Sequence, residues 1–162
     1  MRRVFLPVMV LAIIGLTTQS ALATSGAHFF SATSSVGDNG ALVVNWDEAG
    51  VGQQTVFYTL ATDASATYAC INGGGKHPSA SNKEDVNGPL STPNTGFQPQ
   101  NGRVKASLSV GPIGAGSFAC PSGQTMVLGR VSYSNITLTD TTNNVTAHPA
   151  DVCRSFSSLF PC

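Results

Sequence analysis

The sequence predicts an all-β fold: an antiparallel, immunoglobulin-like β-sandwich of about eight short strands, held by disulfides. Three observations carry that expectation. Beyond the first two dozen residues, no stretch repeats apolar residues at helical spacing. Short runs rich in Val, Thr, Tyr and Phe alternate instead with Gly, Asn, Asp and Pro, with turn signals roughly every 8–12 residues. Charged residues are only 10% of the chain and cysteines number four, a habit of extracellular β-proteins solubilised by Ser, Thr, Asn and Gly.

The N-terminus reads as a targeting segment rather than structure. Met1-Arg2-Arg3 is a short positive region, Val4 to Leu16 is almost wholly apolar, and Ala21-Leu22-Ala23 has the small-x-small pattern of a cleavage site. That is a secretory signal peptide over residues 1–23. A membrane anchor needs roughly 20 apolar residues, more than this run supplies. Arg2-Arg3-Val4-Phe5-Leu6 also outlines a twin-arginine signal, but the short charged region and very apolar core favour the general secretory route. The expected product is secreted and monomeric, with no membrane span. It has a sandwich domain over residues 24–147 and a tail over 148–162. The whole chain carries eight basic and eight acidic residues, and losing Arg2 and Arg3 leaves the product close to neutral. The lack of a basic stripe or an acidic tail argues against nucleic acid or anionic membrane as partner.

Taken in order, His28 to Val36 is a first strand, weakened by Ala and Ser. Gly37-Asp38-Asn39-Gly40 is a hairpin turn, because Asn-Gly takes positive φ at little cost. Ala41 to Trp46 returns, and Asp47 to Gly52 breaks the pattern. Gln54 to Ala61 alternates Val56, Tyr58 and Leu60 against Phe57 and Thr59. Thr62 to Ser65 reads as a turn, and Ala66 to Ile71 as a short strand ending at Cys70. From Asn72 to about Pro93, a glycine run, prolines and clustered charges read as a long mobile loop, unfit for a central strand. Pro99 marks an edge and Asn101-Gly102 a second hairpin. Arg103 to Val110 then turns Val104, Ala106, Leu108 and Val110 inward and Lys105, Ser107 and Ser109 outward, and Gly111 to Ala119 is a connector.

The longest strand signal lies between Cys120 and Ala147. Val127, Gly129, Val131 and Tyr133 share one parity, whereas Ile136 and Leu138 take the other. A bulge or a change of sheet is therefore expected near Ser134 or Asn135. Thr141-Thr142-Asn143-Asn144 turns the chain back into Val145-Thr146-Ala147. Trp46, Phe57, Tyr58 and Val131 are expected in the core.

Cys70, Cys120, Cys153 and Cys162 permit three pairings. Zinc is disfavoured, because no C-x-x-C spacing occurs. Cys153 and Cys162 bracket a C-terminal stretch that has no periodicity and would fray untied. Pairing them leaves Cys70 with Cys120.

The blocks GALVVNWDEAGVG, YACINGGGKHPSASNK and CPSGQTMVLGRVSYSNITLTDTTN resemble those of small secreted actinobacterial proteins with no assigned activity. The resemblance runs from about Ala41 to Ala147. It implies secretion and one β-rich domain, and brings no catalytic residues. The Cys153–Cys162 tail departs from that pattern.

No constellation marks a catalyst or a cofactor. Asp47-Glu48 and Glu84-Asp85 are adjacent pairs, which a strand sends to opposite faces, so neither is by itself the paired acid of a glycosidase. Both read as solvated loop charge. Pro121-Ser122-Gly123 lacks the flanking glycines of a nucleophile elbow. Gly73-Gly74-Gly75-Lys76 has Cys70 where a phosphate loop needs its first glycine and His77 where it needs Ser or Thr. Asp38-Asn39-Gly40 and Asp140 supply turn oxygens without a calcium-loop pattern. The expectation is a non-catalytic exported domain that binds a surface, a polysaccharide or a protein, with no cofactor. The first alternative is a small extracellular hydrolase. A more distant one follows from Ser25-Gly26-Ala27, a second small-residue cleavage site. Cleavage there would place His28 at the N-terminus, where its amine and imidazole, with His77 or His148, make a copper-binding histidine brace.

Overall fold

Two strands of 16 residues each, β3 (Val56–Ile71) and β7 (Thr125–Asp140), pair antiparallel as the spine of the molecule. The computed structural model describes residues 26–72 and 82–162. The segment read as a signal peptide, Gly73 to Gly75, Lys76 and His77 lie outside the described residues. The other strands are β1 (His28–Val36), β2 (Leu42–Ala49), β4 (Lys83–Ser91), β5 (Thr95–Phe97), β6 (Arg103–Val110), β8 (Val145–Ala147) and β9 (Val152–Ser155). None of the described residues forms an α-helix, and none of their segments is a helix long and apolar enough to cross a membrane.

The strands form two sheets, a three-stranded one ordered β1-β2-β6 and a six-stranded one built on β3 and β7. Each edge of the larger sheet is filled by two short strands in tandem. β4 and β5 follow one another along β3, and β8 and β9 along β7. Proline explains both breaks. Pro93 stands between β4 and β5 and Pro149 between β8 and β9, and neither can donate to a ladder. The sheets close on a core that includes Leu42, Val44, Trp46, Tyr58, Leu60 and Leu138.

The parity change expected in β7 is present. Gly129, Val131 and Tyr133 are buried on one side of Ser134-Asn135, and Ile136, Leu138 and Asp140 on the other. The register shifts there, between Ala61 and Asp63 of β3, and Asn135 adopts a φ of 52°. The bulge is knitted by side chains. Thr62 Oγ1 donates to the Ser134 carbonyl at 2.8 Å, and Asn135 Nδ2 donates to Asp63 Oδ2 at 2.8 Å.

Four sequence readings need correction. Thr62 to Ser65 does not turn; β3 runs through it, because the side chains of Thr62 and Asp63 bond to the bulge in β7 opposite. The stretch Asn72 to Pro93 is not one loop, since Lys83 to Ser91 pairs with β3 as an edge strand that tolerates Gly88 and Pro89. Asp47 and Glu48 do not break β2, which continues to Ala49. Phe57 is not core: it is 43% exposed, whereas Trp46, Tyr58 and Val131 are buried.

Both disulfides pair as expected, Cys70 with Cys120 and Cys153 with Cys162. The first ties the end of β3 to the connector ahead of β7. It is therefore not the bridge across the core that joins the two sheets of antibody domains. The second closes a tail that is more structured than its sequence suggests, because β9 pairs with β7 and Arg154 reaches the first hairpin. The Arg154 guanidinium donates to the Val36 carbonyl at 3.0 Å and pairs with Asp38 at 2.8 Å.

The tail also seats Phe160 against Gly129. A Cβ on Gly129 would lie 2.4 Å from the Phe160 ring, so only glycine leaves room for it. Gly129→Ala is expected to unseat Phe160 at a cost of about 1–3 kcal/mol. Faster proteolysis of the tail, with β3 and β7 still protected, is the measurement that checks it.

Candidate functional site

The most distinctive surface lies on the outer face of the three-stranded sheet, where β1 begins and β2 ends. It originates in a bulge. Phe29 pairs with Glu48 and Ser31 with Asp47, which leaves Phe30 as the extra residue between them. Phe29 therefore packs against the core while Phe30 turns out to solvent, 60% exposed. Without the shift, the inward parity of Val36, Ser34 and Ala32 would carry Phe30 into the core and turn Phe29 out; the extra residue exchanges the two.

Charged side chains from the neighbouring strands frame the ring. Asp47 of β2 sits directly opposite Lys105 of β6, with Arg103 two pairs further along, opposite Ala49. Arg103 makes a two-pronged ion pair with Asp47, Nε to Oδ1 at 2.5 Å and Nη2 to Oδ2 at 2.6 Å, and Lys105 Nζ adds a contact at 3.3 Å. That fork is the strongest geometry available to a guanidinium and a carboxylate. The Arg103 hydrogen bonds hold the Asp47 carboxyl below its ordinary range, and Asp47 in turn raises Arg103. So fixed, the guanidinium lies over the Phe30 ring at 4.8 Å from its centroid. His28 contacts the same ring at 4.8 Å, its own position held by Nδ1 donating to the Gly26 carbonyl at 2.7 Å.

Beside this cluster the Asn101-Gly102 hairpin forms one wall of a hollow of about 270 Å³, lined by Gln98, Gln100, Asn101, Arg103 and Lys105. The hairpin is set by Gln100 pairing with Arg103, with Asn101 at a φ of 53° and Gly102 at 73°. The result is an exposed aromatic ring, an oriented guanidinium and three side-chain amides within one patch. A second hollow of about 270 Å³ lies on the outer face of the larger sheet, around Asp63, Ser65, Asn87 and Ser132. It has no aromatic wall, and Asp63 already accepts from Asn135.

The sequence-level candidates are scattered. Asp47 and Glu48 project to opposite faces, as adjacent strand residues must, but neither is the solvated loop charge expected. Asp47 is ion-paired, and Glu48 is wholly buried, because it shares the inward parity of Leu42, Val44 and Trp46. Glu84 and Asp85 lie exposed on β4, where Asp85 Oδ1 accepts from Thr67 Oγ1 at 2.5 Å. Asp38 is paired with Arg154, and Asp140 is buried and spends its oxygens on its own turn. Among the described residues no three His, Cys, Asp or Glu side chains gather to hold a metal ion. His28 stands on the patch, His148 is exposed beyond β8, and His77 lies outside the described residues.

Phe30 and Arg103 were not singled out by sequence. Nothing in HFFS marks a bulge, whereas the inward parity of Glu48 was there to be read from LVVNWDE. No family model, no curated protein and no solved structure matches the chain.

Proposed function

We propose that this chain is an exported, non-catalytic β-sandwich domain that binds a polysaccharide on the outer face of its three-stranded sheet. The observation that carries the reading is Phe30, 60% exposed and held by Arg103 and His28 beside the amide-lined hollow. Sugars present an apolar face of C–H groups and a rim of paired hydroxyls. An aromatic ring meets the first, and planar amides and guanidinium meet the second. The near-neutral charge balance suits such a ligand better than a polyanion. Export rests on the signal-peptide pattern of residues 1–23 and on two disulfides, which fit an oxidising compartment.

Retention on insoluble chitin, cellulose and peptidoglycan tests the reading. Phe30→Ala and Arg103→Ala are expected to reduce retention at least tenfold, the loss of about 1.4 kcal/mol. Phe57→Ala, on the other sheet, should leave it unchanged. Equal retention of all three variants would remove the patch from the interaction. Failure of the wild type to bind any polymer would leave a protein partner for the same surface, since aromatic and arginine side chains also anchor protein interfaces.

A further inference from the structure

Behind the patch, on the inward face of the same strand, lies a group of polar atoms that the polysaccharide reading does not use. Glu48 and Asp140 are both 0% exposed. Both carboxylate oxygens of Glu48, Tyr58 Oη and Trp46 Nε1 are buried without a hydrogen-bond partner. The group sits in an apolar and aromatic shell. Trp46 lies 4.8 Å from Tyr58 and 5.2 Å from Phe97, ring centre to ring centre, and Phe29 lies 6.5 Å from Tyr58.

Every element around Glu48 can be inspected for a charge that would balance it. β1 contributes Phe29 and β6 contributes Val104, the two cross-strand neighbours of Glu48. Its own strand adds Trp46 on the inward side, and β5 adds Phe97. β3 contributes the Tyr58 hydroxyl and β7 contributes Asp140, the titratable groups that face it. The cations of this region, Arg103 and Lys105, are on the opposite face of the sheet and committed to Asp47. Two carboxylates thus share a buried core with no cation beside them among the described residues.

We propose that Glu48 and Asp140 form a buried proton-binding site, in which Glu48 is the neutral acid and Asp140 the carboxylate, so that the fold is linked to pH. Two like charges in an apolar site cannot both persist, and one group keeps its proton. The hydrogen bonds decide which. Asp140 Oδ1 accepts from the backbone N–H groups of Thr142 and Asn143 at 2.8 and 2.9 Å, and Oδ2 accepts from Asn143 Nδ2 at 2.6 Å. N–H donors thus occupy both oxygens of Asp140, whereas neither oxygen of Glu48 has a partner among the described residues. Burial first, and the nearby Asp140 charge second, push the Glu48 carboxyl up to about 7, against 4.5 for an ordinary glutamate; the Tyr58 hydroxyl acts in the opposite direction.

The direction of the linkage follows. Between those two values the folded chain holds a proton that the unfolded chain has released. The stability tied to Glu48 is therefore fully present below about pH 4.5, declines as pH rises, and is lost above about pH 7. The expected effect is a rise of roughly 300-fold in the unfolding equilibrium constant across that window. Asp47 acts oppositely and in a lower range, because its depressed carboxyl loses its ion pairs only as pH falls below the ordinary aspartate value.

The test uses the full chain with both disulfides intact and does not depend on any ligand. Urea unfolding from pH 4.5 to 8.5 is compared between wild type and Glu48→Gln, which keeps the shape and cannot ionise. The wild type is expected to lose stability across the window, the variant to stay flat and to exceed the wild type at pH 8. Parallel profiles, or a flat wild type, would overturn the proposal. Should the variant fail to fold, infrared spectroscopy of wild type labelled with ¹³C-glutamate decides. A protonated glutamic acid carbonyl band that disappears with a midpoint near pH 7 supports the site; its absence at pH 6 refutes it.

Discussion

Cys70→Ser is expected to lower the melting temperature by about 10–15 °C, and Cys162→Ser by about two thirds as much or less. The difference comes from what each bridge encloses. Cys70 and Cys120 are 50 residues apart in sequence and enclose β4, β5 and β6, whereas Cys153 and Cys162 are 9 apart and enclose little beyond the end of β9. In the chain-entropy model the longer loop is worth about 4 kcal/mol and the shorter about 2.6. Position sharpens the contrast, because Cys70 is 2% exposed at the end of the central strand while the tail bridge is exposed. Cys120→Ser serves as the matched variant. Its loss should equal that of Cys70→Ser if the cross-link is the cause, and fall well short of it if packing at Cys70 is. Calorimetry under identical buffer checks both, and equal losses at Cys70 and Cys162 would refute the loop argument.

Much of this architecture is legible in the residues. Period-two alternation set Val56, Tyr58 and Leu60 apart from Phe57 and Thr59 and turned Val104 inward, and all four of those apolar residues are buried. The conflict of parity between Tyr133 and Ile136 announced the β7 bulge, since a strand cannot bury both without an extra residue. What escaped was set by tertiary context. β4 has the composition of a loop, yet β3 offers it a long unpaired edge, and an edge strand needs only alternate backbone groups. Thr62 to Ser65 has turn residues, yet Thr62 and Asp63 spend their side chains on the β7 bulge, so the strand continues. The candidate site was less legible than the fold, because it depends on one shift in register. That shift turns Phe30 outward and Phe29 inward, and no local residue preference requires it.

Asp47 and Glu48 show how the two ends of the argument meet in one dipeptide. Asp47 organises the outside by fixing Arg103 beneath its carboxylate and over Phe30. Glu48 loads the inside with an acid that burial keeps protonated to a higher pH than an ordinary glutamate. A pH-dependent core and a surface patch therefore share a strand end, and Asp47→Asn and Glu48→Gln separate them: the first should weaken the patch and leave the pH 4.5–8.5 profile unchanged, the second should change that profile and leave the patch intact.

Trp46→Ala is expected to remove about 3–5 kcal/mol, a large share of the 5–15 kcal/mol typical of a domain. Trp46 is 4% exposed and stands where the sheets meet, edge-on to Phe97 at 5.2 Å and against Tyr58 at 4.8 Å. Truncation would leave a cavity that β2, paired on both sides, cannot collapse to fill. It would also open a path for water to Glu48, two residues along the same inward face. Trp46→Phe keeps the aromatic contacts and removes an indole N–H that has no partner, so it should recover most of the loss. Phe57→Ala, at a ring 43% exposed on β3, is the surface comparison and should cost under about 0.5 kcal/mol. Urea unfolding of the three variants at pH 5, where Glu48 of the folded wild type is protonated, measures the ranking. A Trp46→Ala loss below about 1 kcal/mol would mean that this end of the sandwich repacks freely.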